Sequence, residues 1–229
     1  MIRISAVSDL HGLTKFTIMP ADVLFIAGDI MPLEIQTRIP QSKEWIKNTF
    51  IPAMEAMPAE QIILVAGNHD FVFEQVSVDE IKSWFRGTKI TYLHNEACEI
   101  EAGDHTYTVF GTPYCHIFGN WAFMPEPEFQ KKAFAEIPEN CDILVCHDAP
   151  YGVSDVILQD IIWRKEGEHI GNPELADAVL AKQPRLLLHG HLHSTNHEKE
   201  LLGKTEVYNV SIKDEHYCHT YPSFHMKFA

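Results

Sequence analysis

Ile62-Ile63-Leu64-Val65-Ala66-Gly67-Asn68-His69-Asp70 is an unbroken apolar run that stops on a glycine and then offers an amide, an imidazole and a carboxylate. A short continuous apolar run bounded by polar sequence reads as a strand buried on both faces. The same design recurs along the chain. Residues 2–7 lead to Asp9 and His11, and Val23-Leu24-Phe25-Ile26-Ala27 leads to Gly28-Asp29. Ile143-Leu144-Val145-Cys146 leads to His147-Asp148, and Leu186-Leu187-Leu188 leads to His189-Gly190-His191-Leu192-His193.

In open α/β sheets, ligands gather at the carboxyl ends of the strands, where several loops meet. Five such ends can therefore converge on one crevice. Asp9 and His11 are two apart, as are His191 and His193. On an extended backbone residues i and i+2 share a face, so each pair is expected to aim at one target. Gly28, Gly67 and Gly190 are expected to let the backbone turn where a side chain would obstruct the cluster.

Helices are expected between these strands. Residues 42–57 read as amphipathic, with Pro52 as an interruption. Ser77-Val78-Asp79-Glu80 resembles a capping box that opens a helix to Phe85. Residues 127–136 and 173–182 are further helices, the second with Asn172 as N-cap and Pro173 in the first turn. Residues 106–110, 205–210 and 223–228 read as strands. With no linker, repeat or low-complexity tract in the sequence, residues 1–229 are expected to form a single α/β domain.

Composition narrows the partners. The formal net charge of −14, with 18 Lys and Arg against 32 Asp and Glu, leaves no basic stripe for a polynucleotide. A small phosphate ester remains a fitting substrate, because bound cations would make the site locally positive. No apolar run approaches the ~20 residues a membrane span needs. The start of the chain reads as a strand rather than a secretory signal. The cysteines, Cys98, Cys115, Cys141, Cys146 and Cys218, are odd in number and lack a Cys-x-x-Cys pair. Free thiols in a reducing cytoplasm are therefore expected. Oligomeric state leaves no mark on the sequence.

The candidate ligands are Asp9, His11, Asp29, Asn68, His147, His191 and His193. They combine carboxylates, imidazoles and one amide oxygen, a set that suits two divalent ions (Mn, Fe or Zn) rather than a thiolate-rich structural zinc. Seven donors exceed one tetrahedral ion, and Asp29 is the natural carboxylate to bridge two. In their order these motifs resemble those of the calcineurin-like metallophosphoesterases, and the resemblance runs from residue 9 to residue 193. It implies a β-sandwich of two mixed sheets flanked by helices. It implies that Asp9, His11 and His193 hold one ion, that Asn68, His147 and His191 hold the other, and that Asp29 bridges them. His69 would then be the active-site histidine beside the substrate phosphate, and Asp70 could orient its imidazole by hydrogen bonding.

Two cations about 3.5–4 Å apart clamp a phosphoryl group and generate a bridging hydroxide for in-line attack. His69 would stabilise charge or protonate the leaving group. Protein Ser/Thr phosphatases of the superfamily carry Asp-Arg-Gly shortly after the bridging aspartate, whereas here Ile30-Met31-Pro32 follows Asp29. Gly111-Thr112-Pro113 before an aromatic loop, and the short stretch from His147 to His191, look like the small metallophosphoesterase-domain group. His169-Ile170-Gly171 is similar to a substrate-side turn in small bacterial phosphodiesterases. The expected activity is thus hydrolysis of small phosphodiesters, cyclic nucleotides among them. The alternatives are a phosphomonoesterase, a nuclease of the same superfamily, or a metal-dependent scaffold without turnover. Residues 114–123 are rich in aromatics and read either as a lid that stacks on the substrate or as a hydrophobic loop pinned to the core. His94, His105, His197, His216, His219 and His225 read as structural or surface histidines, and Cys146 as a core residue.

Overall fold

The computed structural model describes residues 1–102, 105–158, 160 and 164–229. Period-two alternation within the apolar runs builds its layers. In β1 (Ile2–Val7), β2 (Ala21–Ala27) and β3 (Ala59–Val65), one set of side chains faces a second sheet and the other faces helices. Val23, Phe25 and Ala27 of β2 join Ile63 and Val65 of β3 in the core between the sheets. Leu24, Ile26, Ile62 and Leu64 point the opposite way, into a core shared with Ile46, Phe50, Phe73 and Ile81. Both faces are buried, which is why the runs are continuous rather than alternating.

Strand β4 (Ile90–Tyr92) extends this first sheet beyond β3, and β11 (Phe224–Phe228) pairs antiparallel with β1 at the opposite edge. The second sheet contains β5 (Glu96–Ala102), β6 (His105–Thr112), β7 (Ile143–Cys146), β8 (Leu186–His189), β9 (Glu200–Leu202) and β10 (Thr205–Asn209). Their spatial order is β5-β6-β7-β8-β10-β9, against β11-β1-β2-β3-β4 in the first sheet. Each sheet is mixed: the first is parallel from β1 to β4 with antiparallel β11 at one edge, and the second has a parallel centre with antiparallel β5 and β9 at its two edges. Ile143, Val145, Leu186 and Leu188 complete the core between the sheets. On the outer face of the second sheet, Leu144 and Leu187 pack with Phe134, Leu175 and Val179. The architecture is the expected sandwich of two mixed sheets flanked by helices.

Helices form where local signals asked for them. Ser77 caps α4 (Val78–Trp84) by accepting from the Glu80 amide at 3.4 Å, and Asn172 caps α6 (Pro173–Lys182) by accepting from Leu175 at 3.2 Å. The α5 helix spans Pro127–Ala135. Residues 39–55 form one continuous helical run, but not a uniform α-helix. They divide into α1 (Ile39–Trp45), a wider π-helical turn (Ile46–Phe50) and α2 (Ile51–Glu55). Pro52, which offers no N–H to the run, follows directly on the π turn. A short α3 (Phe71–Gln75) follows the Asn68-His69-Asp70 loop and has no clear sequence signal.

The five ligand-bearing strand ends belong to both sheets rather than to one edge: β1, β2 and β3 in the first, β7 and β8 in the second. Backbone hydrogen bonds stitch the two ends together. The Ser8 amide donates to Val210 at 2.8 Å and Ile212 returns a bond to Ser8 at 3.2 Å, while within the second sheet Gly190 donates to the His147 carbonyl at 3.1 Å.

Candidate metal centre

The loops after the strands do not stay extended. Asp9, His11, Asp29 and His191 adopt positive φ of 57°, 40°, 55° and 69°. The i/i+2 expectation for Asp9 and His11 therefore does not describe their geometry. Left-handed turns stabilised by backbone bonds (Asp9 N–H to Gly28 at 3.1 Å, His11 N–H to Asp29 at 2.9 Å) swing these side chains inward. Holding several non-glycine residues there costs conformational energy, a pattern that clusters at functional sites.

One carboxylate oxygen is the hub. Asp29 Oδ2 lies 3.3 Å from His147 Nε2, 3.8 Å from His11 Nε2 and 3.9 Å from His69 Nε2. Asp9 Oδ1 lies 3.2 Å from His193 Nε2, and its carboxylate also accepts the His191 amide. Asn68 Oδ1 is 3.0 Å from His147 Nε2. The ring of His191 packs 5.1 Å from that of His147. Donor atoms converge in three trios: Asp9 with His11 and His193; Asp9 with Asp29 and His147; and His11 with Asp29 and His69. The first trio matches the set expected for one ion. The second joins Asp9 to Asp29 and His147, and the Asn68 amide oxygen lies 3.0 Å from the same His147 Nε2. His191 is close by but outside all three, and His69, expected to be a non-ligand, falls in the third.

The residues around the centre set its imidazoles for a cation. His147 directs Nδ1 to the Ala27 carbonyl at 2.7 Å, and His193 directs Nδ1 to the Asp214 carbonyl at 2.9 Å. A backbone acceptor at Nδ1 leaves the Nε2 lone pair free to ligate. Both ring nitrogens of His11 are buried without a hydrogen-bond partner among the described residues, a costly state that a ligated cation relieves. Burial pushes His11 down to about 4 and His191 down to about 3, so both rings are neutral at pH 7 and competent as ligands. Burial opposes the charge on Asp9 and Asp29 too, but His193 and His147 outweigh it and hold both carboxyls below the usual range. Burial likewise lowers His147, and Asp29 and Asp9 overcome it, raising that ring to about 10. A bound cation takes the place of that proton. By donor chemistry, tautomer and unpartnered nitrogens, the residues fit divalent metal.

Close approach explains the glycines. A Cβ on Gly28 would sit against His147 and 2.9 Å from the Gly67 Cα, one on Gly67 would strike Asp29, and one on Gly190 would strike Ser8 and Asp9. Asp70 is used differently from expectation. Its buried carboxylate accepts backbone amides of Gly67 (2.8 Å), Met31 (2.9 Å) and Ile30 (3.3 Å), tying the β2 and β3 loops together. The partner of His69 Nδ1 is Gln36 Oε1, at 2.5 Å, which the sequence reading did not single out. His189 bonds Ser154 Oγ through Nε2 at 2.9 Å within the interior.

Aromatic rings rim the site. Trp121 lies 4.5 Å from His69 between ring centroids, Phe118 lies 5.0 Å from His191, and Tyr217 sits edge-on to His11 at 4.8 Å. Tyr217 was not anticipated, for nothing around it in the sequence marks it. Residues 114–123 combine both anticipated behaviours. Ala122 and Phe123 are buried, the Ala122 amide donating to the Asn68 carbonyl and the Phe123 amide to the Glu74 carboxylate, while Phe118 and Trp121 stay partly exposed beside the centre. A cavity of about 310 Å³ adjoins His191, with an apolar wall of Phe118, Ile157, Ile170 and Leu192 and a polar one of His116, Arg164, Ser194 and Glu215.

Residues 2–195 match the family model for the calcineurin-like phosphoesterases, and the chain belongs to that family, whose members use divalent metals. It is 28% identical over 214 residues to metallophosphoesterase domain-containing protein 1 of Homo sapiens and of Mus musculus, across 83% of this chain and 60% of those proteins. It thus spans less than two thirds of the length of these curated relatives. Among solved structures, TT1561 of Thermus thermophilus superposes with a TM-score of 0.59 at 18% identity, covering 91% of this chain and 88% of that one. Phosphopantetheinyl hydrolase from Mycobacterium tuberculosis superposes with a TM-score of 0.55 at 12% identity, covering 93% and 90%. These structures share the fold. Among the described residues no helix is long and apolar enough to cross a membrane.

Proposed function

We propose that the chain hydrolyses small phosphodiesters with two divalent ions, drawn from Mn, Fe or Zn, held at the Asp29 hub. The observation that carries this reading is Asp29 Oδ2 facing the His11, His69 and His147 imidazoles in a buried pocket of imidazoles and carboxylates. Asp9, His11 and His193 would hold one ion, Asn68, His147 and His191 the other, and Asp29 would touch both. When bound, the ions neutralise phosphoryl charge and activate water for in-line displacement. The chain's own residues do the rest. Asp9 and Asp29 supply the negative charge that retains the cations, and the Ala27 and Asp214 carbonyls keep His147 and His193 in the ligating tautomer. His69, with Nδ1–H donated to Gln36, presents Nε2 towards the phosphoryl group and, when protonated there, passes that proton to the leaving oxygen.

A diester carries two organic arms, and two surfaces flank the centre, one aromatic and one of mixed polarity. The exposed face of Trp121 lies beside His69, and the cavity walled by Phe118 and Leu192 lies beside His191. The −14 charge supports small substrates over long nucleic acid, whose phosphates would extend over an uncompensated acidic surface. Free thiols at Cys98, Cys115, Cys141, Cys146 and Cys218 support a reducing compartment such as the cytoplasm.

The test is a panel assay with Mn²⁺ on bis-p-nitrophenyl phosphate, p-nitrophenyl phosphate, 2′,3′- and 3′,5′-cyclic nucleotides and short DNA. The bis ester should have the higher kcat/KM of the two p-nitrophenyl substrates. The reverse order replaces the diesterase reading with a monoesterase, and no turnover of any substrate removes the hydrolase reading.

A further inference from the structure

We infer that Gln36 is a positioning residue that fixes which edge of the His69 imidazole faces the centre; the inference rests on the hydrolase reading above. His69 is clamped between rings: His11 meets it edge-on at 4.9 Å and 89°, and Trp121 leans on it at 4.5 Å and 39°. Such packing fixes the plane of an imidazole but not its sense. A half-turn about the Cβ–Cγ bond exchanges nitrogens for ring carbons of nearly the same size. Only a directional hydrogen bond separates the two states. Among the described residues, the one side-chain hydrogen bond to a His69 ring nitrogen is Gln36 Oε1 to Nδ1, at 2.5 Å.

The neighbouring carboxylate does not compete for that task. Asp70 is committed to the amides of Gly67, Ile30 and Met31. Asp29 accepts the His69 backbone amide at 2.8 Å through Oδ1 and faces Nε2 through Oδ2. With Nδ1–H given to Gln36, the Nε2 edge is the one turned to the hub.

Gln36 itself is held by a built loop. Ile35 bonds back to the Pro32 carbonyl at 3.1 Å, Arg38 bonds to Ile35 at 2.7 Å, and the buried Ser42 hydroxyl donates to the Ile35 carbonyl at 2.9 Å. Ile35 packs against the core shared by β2, β3 and the helices. The loop leaving Asp29 thus returns a neutral amide to a histidine 33 residues further along the chain. An amide orients the ring by hydrogen bonding alone, without adding another anion beside Asp9 and Asp29.

The experiment compares wild type, Gln36→Ala, Gln36→Met, His69→Ala and the Gln36→Met/His69→Ala double variant in the Mn²⁺-loaded protein. The substrates are a p-nitrophenyl diester and a methyl diester with a poor leaving group. Each Gln36 variant should lower kcat about 10–100-fold on the poor leaving group and less on p-nitrophenolate, with KM and metal content unchanged. In the His69→Ala background the Met substitution should cost nothing more. Methionine keeps the volume and drops the acceptor, so a loss shared by both Gln36 variants reports the hydrogen bond and not a hole. In the zinc-loaded protein, two-bond ¹H–¹⁵N spectra should show His69 as a single Nδ1–H tautomer in wild type and as a mixture in Gln36→Met. The proposal is overturned by unchanged kcat in Gln36→Met, by equal losses with and without His69, or by an unaltered His69 spectrum. A wild type that turns over no phosphate ester defeats the hydrolase reading instead, and the spectrum still decides the role of Gln36.

Discussion

His147, carried by the second sheet, places its Nδ1 2.7 Å from the carbonyl oxygen of Ala27, the last residue of β2 in the first sheet. That bond locks one sheet's imidazole to the other sheet's backbone and turns Nε2 towards Asn68 at 3.0 Å and Asp29 at 3.3 Å. The centre therefore depends on how closely the two strand ends approach.

Gly28 sets that approach, and Gly28→Ala is expected to break it. A Cβ there would strike His147 and sit 2.9 Å from the Gly67 Cα, at a φ of +100° that L side chains rarely adopt. Strain and overlap together should cost on the order of 2–5 kcal/mol and weaken metal binding. Gly87→Ala is the control. Its φ is +79° with nothing within 4 Å, so strain alone should cost about 1 kcal/mol with metal affinity unchanged. Urea melts with parallel metal titrations measure both.

Two ions per chain are expected on reconstitution. Asp29→Asn should weaken both sites, because Oδ2 is near imidazoles from three loops, whereas His11→Ala should mainly weaken the site formed with Asp9 and His193. Elemental analysis after desalting checks this. One ion or none in the wild-type protein would defeat the two-ion reading.

Trp121 lies 4.5 Å from His69 and is 36% exposed, so its outer face is open to a flat group on the substrate. Trp121→Ala should raise KM for nucleotide diesters by roughly 5–100-fold, from a stacking loss of about 1–3 kcal/mol per base, and spare p-nitrophenyl substrates. An unchanged nucleotide KM would reduce Trp121 to a wall of the histidine.

His94 gives a pH dependence away from the centre. Burial lowers its pKa and Lys82 adds to the lowering, while Glu96 opposes them; Nδ1 meets the Tyr92 hydroxyl at 3.1 Å and the ring packs on Tyr114 and Phe123. In the unfolded chain a histidine titrates near ~6.5. As pH falls below that value, the unfolded state takes up a proton that the folded state refuses, so stability falls until the lower folded pKa is passed. His94→Gln should flatten that part of the stability curve, measured by urea melts between pH 5 and 7.5. An identical slope in the variant would show that other groups set it.

Local sequence determined a good deal on its own. Burial on both faces wrote β1, β2, β3, β7 and β8 as continuous apolar runs, and the Ser77 and Asn172 caps are local hydrogen-bonding signals. Strands β4, β5 and β9 escaped notice: β4 and β9 are three residues long, too short to show alternation, and β5 is an edge strand carrying Glu96, Glu99 and Glu101 with little buried apolar surface. The five motifs that carry the candidate donors were legible because their residue types are rare in that order. Their geometry was not. The left-handed backbone at Asp9, His11, Asp29 and His191 falls on residues with no intrinsic preference strong enough to announce it. Gln36, and not Asp70, meets the His69 imidazole, since the nearer carboxylate is consumed by amides of a loop from another strand. Tyr217 reaches His11 only because Ser8 bonds to Val210 and Ile212 and so brings the chain beyond β10 alongside the β1 loop. Burial and backbone preference are encoded residue by residue, whereas a directional contact between loops depends on where two packed sheets set those loops down.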